Sequence, residues 1–257
     1  MSRGYPAVRA LLLGTNVLLG IALVAGGLLA TGAAWQVRLV LVLYGLCWLA
    51  TLPIVARSWW GVRPTGERVQ TAGGATVVGY DPSPARGGAF VCGWLTAVTA
   101  LAGLLGLAAG AIAGGVLGLL LAGFFALPLT DLLLALRRGA WLSLTRQRIV
   151  VRGWRTESSL DWADVAGVEV VRSDRRPHLL IRAAVGSTSW QGRQLPRAWP
   201  ARSHLEPGLL LVDAAAVEPH TALLYEAMQR WTRDPSTRTD LGTAEAEREL
   251  HPAGQSA

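Results

Sequence analysis

The sequence predicts a helical membrane region followed by an α+β domain, on three observations. Residues 1–139 hold long apolar runs and only three acids, Glu67, Asp81 and Asp131. From Trp141 onward apolar and polar residues alternate with period two, the pattern of half-buried strands. After Pro219 the period returns to that of a helix, with Leu223, Leu224, Ala227, Met228 and Trp231 on one stripe and Glu226, Gln229 and Arg230 opposite.

Within 1–139, four spans are expected at about 8–30, 37–56, 89–110 and 116–136. The first is a 23-residue run, Val8 to Ala30, long enough to cross a hydrocarbon core of about 30 Å at about 1.5 Å per residue. Its flanks, Arg3 and Arg9 before and Ala30-Thr31-Gly32 after, also fit a signal peptide, but the apolar part of such a peptide is usually about 7–15 residues. An uncleaved helix is therefore expected. The second span contains Pro53, where a kink is expected, and is followed by Trp59 and Trp60 at the lipid–water boundary.

Residues 61–88 read as a Gly/Pro linker with a strand-like piece, Ala75 to Tyr80, that packs against the β domain. Ala89 to Leu136 is long enough for two spans, with the turn placed at Gly110 to Gly115. Gly106, Gly110, Gly114 and Gly118 recur every four residues, but a turn there divides them between two helices. The result is two helical hairpins. Arg3, Arg9, Arg57, Arg63, Arg68, Arg86, Arg137 and Arg138 fall on one side and Arg38 alone on the other, which places both termini in the cytoplasm.

The net charge of +7 and the pI near 10.6 raise the question of nucleic acid. Residues 1–139 carry nine arginines against three acids, 140–233 thirteen against nine, and 234–257 two against five. Most of the excess flanks the spans, so lipids and proteins rather than nucleic acid are the expected partners. Homo-oligomers through the glycine-bearing spans are a further expectation.

Beyond Val171, Arg172 to Pro177 reads as a turn, His178 to Ala184 and Gly208 to Asp213 as strands, and Ser187 to Gln191 as a further strand candidate. Gly192 to Pro207 reads as an irregular loop. Residues 140–233 form the β domain, and 234–257 read as a polar, disordered tail.

The stretch Trp141–Val171, with its Leu144-Thr145 strand end, Ile149-Val-Val-Arg-Gly-Trp154 strand and Leu160-Asp-Trp-Ala-Asp-Val-Ala-Gly-Val168 step, resembles bacterial pleckstrin-homology-like domains. More narrowly it is similar to the version attached to membrane helices in actinobacterial proteins. The helix ending at Trp231 and the Arg233–Gly242 run extend the resemblance, which covers residues 141–242. It implies a pleckstrin-homology-like β-barrel or sandwich closed by a C-terminal amphipathic helix. It also implies a basic turn, here Arg146 and Arg148, of the kind that holds inositol phosphates in eukaryotic relatives. Arg172, Arg175 and Arg176, and Arg193, Arg197 and Arg202 in the later loop, extend this candidate surface for anionic lipid or a protein partner.

Residues for catalysis are not grouped in the sequence. His178, His204, His220 and His251 lack metal-ligand spacing, and there is no GxSxG, GxGxxG or phosphate-loop pattern, so no cofactor, metal or enzymatic activity is expected. Cys47 and Cys92 both lie in spans. Asp131, about one and a half turns from Arg137, reads as a boundary residue reaching headgroup water, with ion handling as the alternative. Asp161 and Asp164 read as backbone caps flanking Trp162, which is expected in the core with Trp231. The functional expectation is an interaction or scaffolding module at the inner membrane; a transporter or channel subunit, and headgroup binding by the β domain, are the alternatives.

Overall fold

The computed structural model describes residues 5–32, 34–60, 69–173, 176–196, 198, 206–214, 216–217 and 221–251, with 5–13, 54–60, 172–173 and 176 described by backbone alone. The chain divides into two units: residues 1–62 with 83–133, and residues 63–82 with 134–257.

The first unit is helical. It contains α1 (Tyr5–Leu29), α2 (Trp35–Trp60), α3 (Ser83–Ala108) and most of α4 (Ile112–Arg138). Among the described residues, Trp35–Pro53, Ser83–Ala108 and Ile112–Arg138 are long and apolar enough to cross a membrane, and Gly14–Leu29 is a shorter apolar stretch. These helices mark a membrane protein.

Close packing within this unit follows the small residues. A Cβ on Gly45 would lie 2.8 Å from the Gly20 carbonyl oxygen and the Val24 nitrogen, so α1 and α2 touch backbone to backbone. Arg38 Nε donates to the Gly27 carbonyl (3.1 Å) and its Nη2 to Leu28 (2.8 Å), covering carbonyls that the end of α1 leaves open. Between α3 and α4 the turn falls at Gly110, φ +79°. The four-residue glycine series is accordingly split. Gly103 and Gly118 meet, the latter's Cβ position lying 2.7 Å from Gly103 Cα, whereas Gly110 and Gly114 face open space.

The second unit is an antiparallel β structure. One sheet has six strands in the order β1 (Val69–Ala72), β2 (Ala75–Gly79), β3 (Trp141–Leu144), β4 (Arg148–Arg152), β5 (Thr156–Asp161) and β8 (Gln191–Gln194). The other has three: β6 (Val165–Ser173), β7 (Arg176–Ala183) and β9 (Leu209–Asp213). Neither sheet closes on itself among the described residues. The strand-like piece after the linker joins the larger sheet through Thr76↔Leu144 to Gly79↔Trp141. The domain therefore begins before α3.

Alternation does what the sequence implied: Leu142, Leu144, Ile149, Val151 and Leu160 point inward and are buried. Against them α5 (Thr221–Arg233) lays Leu224, Ala227, Met228 and Trp231. Trp162 and Trp231 meet edge to face, centroids 6.3 Å apart, an arrangement that adds about 0.5–1.5 kcal/mol to the burial of area. Trp162 Nε1 donates to the Thr145 carbonyl at 2.8 Å.

Three expectations need correction. Residues 192–194, placed in an irregular loop, form β8 together with Gln191, the end of the Ser187–Gln191 strand candidate, because Thr156–Ser159 offers them a free edge. The expected disordered tail is folded as far as residue 251. Asp234 caps a 3-10 turn, Pro235–Asp240, and Thr243 caps α6 (Ala244–Leu250). Leu241, Ala246 and Leu250 are buried in the domain core, so a short apolar triad anchors this polar segment. Asp161, expected to cap backbone, makes no side-chain cap and pairs with Arg148, while Asp164 binds the Ser187 and Ser189 hydroxyls as well as the Ser189 backbone. Pro219 lies outside the described residues.

Because β3 needs β2 beside it, residues 140–257 expressed alone will show no cooperative thermal transition by circular dichroism. Joining residues 69–80 to that fragment through a flexible linker will restore one. In the joined form Trp231→Ala will cost about 3–5 kcal/mol in urea unfolding, as expected for a large aromatic lost from a core.

Candidate interaction surface

Strand alternation that buries Ile149, Val151 and Leu160 sends Arg148, Arg152, Glu157 and Asp161 to the outer face of the larger sheet. The register sets Arg148 opposite Asp161 and Arg152 opposite Glu157. Arg148 Nε donates to Asp161 Oδ1 at 2.6 Å. Arg152 pairs with Glu157 and stands 5.0 Å from the centroid of the Trp141 ring. From the neighbouring strand, Arg193 donates to Glu157 Oε1 through Nε (3.1 Å) and Nη2 (2.7 Å). One carboxylate thus serves two guanidiniums, and its side chain is only 18% exposed.

A surface depression of about 390 Å³ opens beside this group, lined by Glu157, Ser158, Ser159, Gln191, Gly192 and Arg193. On the smaller sheet Arg182 pairs with Glu169 at 3.1 Å, both half-exposed, and Leu211 stands exposed next to them. Exposed pairs of this kind contribute about 0–1 kcal/mol each, so they shape the surface more than they hold the fold.

The arginines proposed from sequence do not form one patch. Arg146 is exposed in the β3–β4 turn, Arg148 is engaged by Asp161, and Arg193 by Glu157. Arg172 and Arg176 are described by backbone, close to the tip of the β6–β7 hairpin. Arg175, Arg197 and Arg202 lie outside the described residues. Sequence reading missed Arg152 and Glu157, although a turn at residues 153–155 would have set 152 against 157 and 148 against 161. Arg193 depended on a strand pairing that no local pattern announced.

Asp164 forms a separate clamp. Its Oδ2 accepts from Ser187 Oγ at 2.9 Å and Ser189 Oγ at 2.5 Å, tying the β7–β8 loop to the end of β5. Ser189 Oγ also accepts from the Asp161 backbone nitrogen at 3.3 Å. The Ser189 and Ser187 hydroxyls hold the Asp164 carboxyl below the usual carboxylate range. No group of three or more metal-ligating side chains occurs among the described residues.

Comparison with family models, curated proteins and solved structures found no match for this chain.

A carboxyl with a lowered folded pKa contributes stability above its unfolded pKa, about 3.9, and loses it as pH falls through the folded value. Amide protection of residues 184–190 will therefore hold from pH 7 to about 4 and drop in stronger acid. Asp164→Asn will make that protection independent of pH, as read by hydrogen exchange.

Proposed function

We propose that this chain is an integral protein of the cell (inner) membrane whose β unit is a pleckstrin-homology-like domain, non-enzymatic and acting as a protein-interaction or scaffolding module. Two antiparallel sheets followed by an amphipathic helix, with Trp231 turned into the core, support that resemblance. The observation that carries the role is the pairing of Arg148 with Asp161 on the larger sheet and of Arg182 with Glu169 on the smaller one. Strand-borne ion pairs make a polar face whose side chains are already positioned, the kind of surface on which a protein partner gains register and specificity. The same pairing takes Arg148 away from the headgroup site that the resemblance implied.

Four spans with cytoplasmic termini remain the proposed arrangement. The pairing of β2 with β3 supports it, because Gly79 and Trp141 must then lie on one side of the bilayer and α3 and α4 must cross and return. Arginine placement makes that side cytoplasmic. A transport subunit gains less support: Thr96, Thr99 and Thr130 hydroxyls donate to Cys92, Leu95 and Ala126 carbonyls of their own helices. Self-association through the glycine-bearing helices fits the same reading.

Photo-crosslinking tests the proposal. A benzophenone side chain placed at exposed Ala163 or Val170 in the full chain in cells will give discrete protein adducts. Lipid adducts alone, or none, at both positions would sink the interaction reading.

A further inference from the structure

The larger sheet has two distinct ends, and the chain leads to its apolar helices from only one of them. Gly79 of β2 is set against Trp141 of β3, and Tyr80 N donates to the Ala140 carbonyl at 3.1 Å. From these two points the chain runs through Asp81-Pro82 into α3 and back through Gly139-Ala140 from α4. Three peptide steps separate Arg138 from Trp141, a reach of at most about 11 Å. Gly139, φ +70°, ends α4 in the left-handed conformation, its nitrogen bonded to the Ala135 carbonyl at 3.0 Å.

Register assigns the other strands to these ends. Trp141 pairs with Arg152, the β4–β5 turn carries Trp154 and Arg155, and Gln194 pairs with Thr156. These residues share the end at which the chain leaves for α3 and returns from α4. Arg138 Nη1 donates to the Pro196 carbonyl at 2.7 Å, at the same end. The β3–β4 turn with Arg146 lies at the opposite end, about 14 Å along a four-residue strand.

The two ends differ in charge. At the far end Arg146 and Arg148 are matched by Asp161 and Asp164. At the near end Arg138, Arg152, Arg155 and Arg193 face Glu157, with Asp81 on the adjoining connection. Arg155 is exposed and forms no ion pair among the described residues.

We propose that this near end is a docking surface for the anionic headgroups of the bilayer, with Arg138, Arg152, Arg155 and Arg193 supplying the contacts. The inference rests on α4 crossing the membrane. A short tether then keeps these arginines within the headgroup layer, where each adds attraction that salt weakens. Arg152 and Arg193 contribute because one carboxylate cannot neutralise both. The balanced far end is left facing away, free for a protein.

The test uses the full chain with Cys47→Ala and Cys92→Ala, reconstituted in phosphatidylcholine with or without phosphatidylglycerol. A nitrobenzoxadiazole label is placed on Gln194→Cys or Gln147→Cys, both exposed, and quenched by a headgroup nitroxide lipid. With phosphatidylglycerol, quenching at 194 will exceed that at 147 by about twofold or more, and will shrink at 1 M salt, where the screening length is about 3 Å. Arg155→Glu will lower quenching at 194 and Arg155→Lys will keep it. Equal or greater quenching at 147 would overturn the inference, as would quenching at 194 that ignores both lipid charge and salt. Neither result bears on protein crosslinks at Ala163, so the two readings fail separately.

Discussion

The pairing of β2 with β3 is the constraint from which the rest follows. Four residue pairs, Thr76↔Leu144 to Gly79↔Trp141, join segments separated by more than sixty residues of mostly apolar helix. Without it Leu142 and Leu144 would lie on an open edge, and the hairpin of β1 and β2 would have nothing to bury Val78 against. It also fixes which end of the sheet faces the connections to α3 and α4. The division of charge between the two ends acquires meaning only from that placement.

A second long-range contact completes the same unit. Gly242 N donates to Thr76 Oγ1 at 2.9 Å, and the Thr71 hydroxyl donates to the Thr243 carbonyl at 3.3 Å. Gly242 sits so close to Gly74 that a Cβ would fall 2.3 Å from the Gly74 carbonyl oxygen, and its φ of +83° suits glycine alone. Arg238 lies against the Trp162 ring, 5.4 Å from its centroid, and donates to the Trp231 carbonyl at 2.7 Å. The segment after α5 is thus a strap across the core and the first hairpin. Its polar composition disguised this, since Leu241, Ala246 and Leu250 are only three apolar side chains among many charged ones.

Legibility followed the range of the interactions. Helix spans, the alternation of β3 to β6, the stripe on α5 and the paired core tryptophans were readable because each is written in a few consecutive residues. β8 and the strap were not. Gln191–Gln194 carries no alternation and all four residues are exposed, so only its neighbour β5 makes it a strand. The candidate surface was half legible for the same reason. Arginines can be counted in a sequence, but whether Arg148 is free or held by Asp161 depends on a register that the turn determines.

The split hairpin imposes an order on synthesis. Residues 69–80 leave the ribosome long before their partners, and at about 5–20 residues per second the wait until residue 250 is roughly ten to thirty seconds. During that interval α3 and α4 are made first, and the edge of β2 stands without a neighbour until residues 141–144 follow them. The β unit thereby matures in two stages, the larger sheet once β3 is made and the core once the residues of the strap arrive. A chain stalled before Trp141 would leave that edge open to pairing with another chain, whereas one stalled before Leu241 would leave the first hairpin without its contact from Gly242.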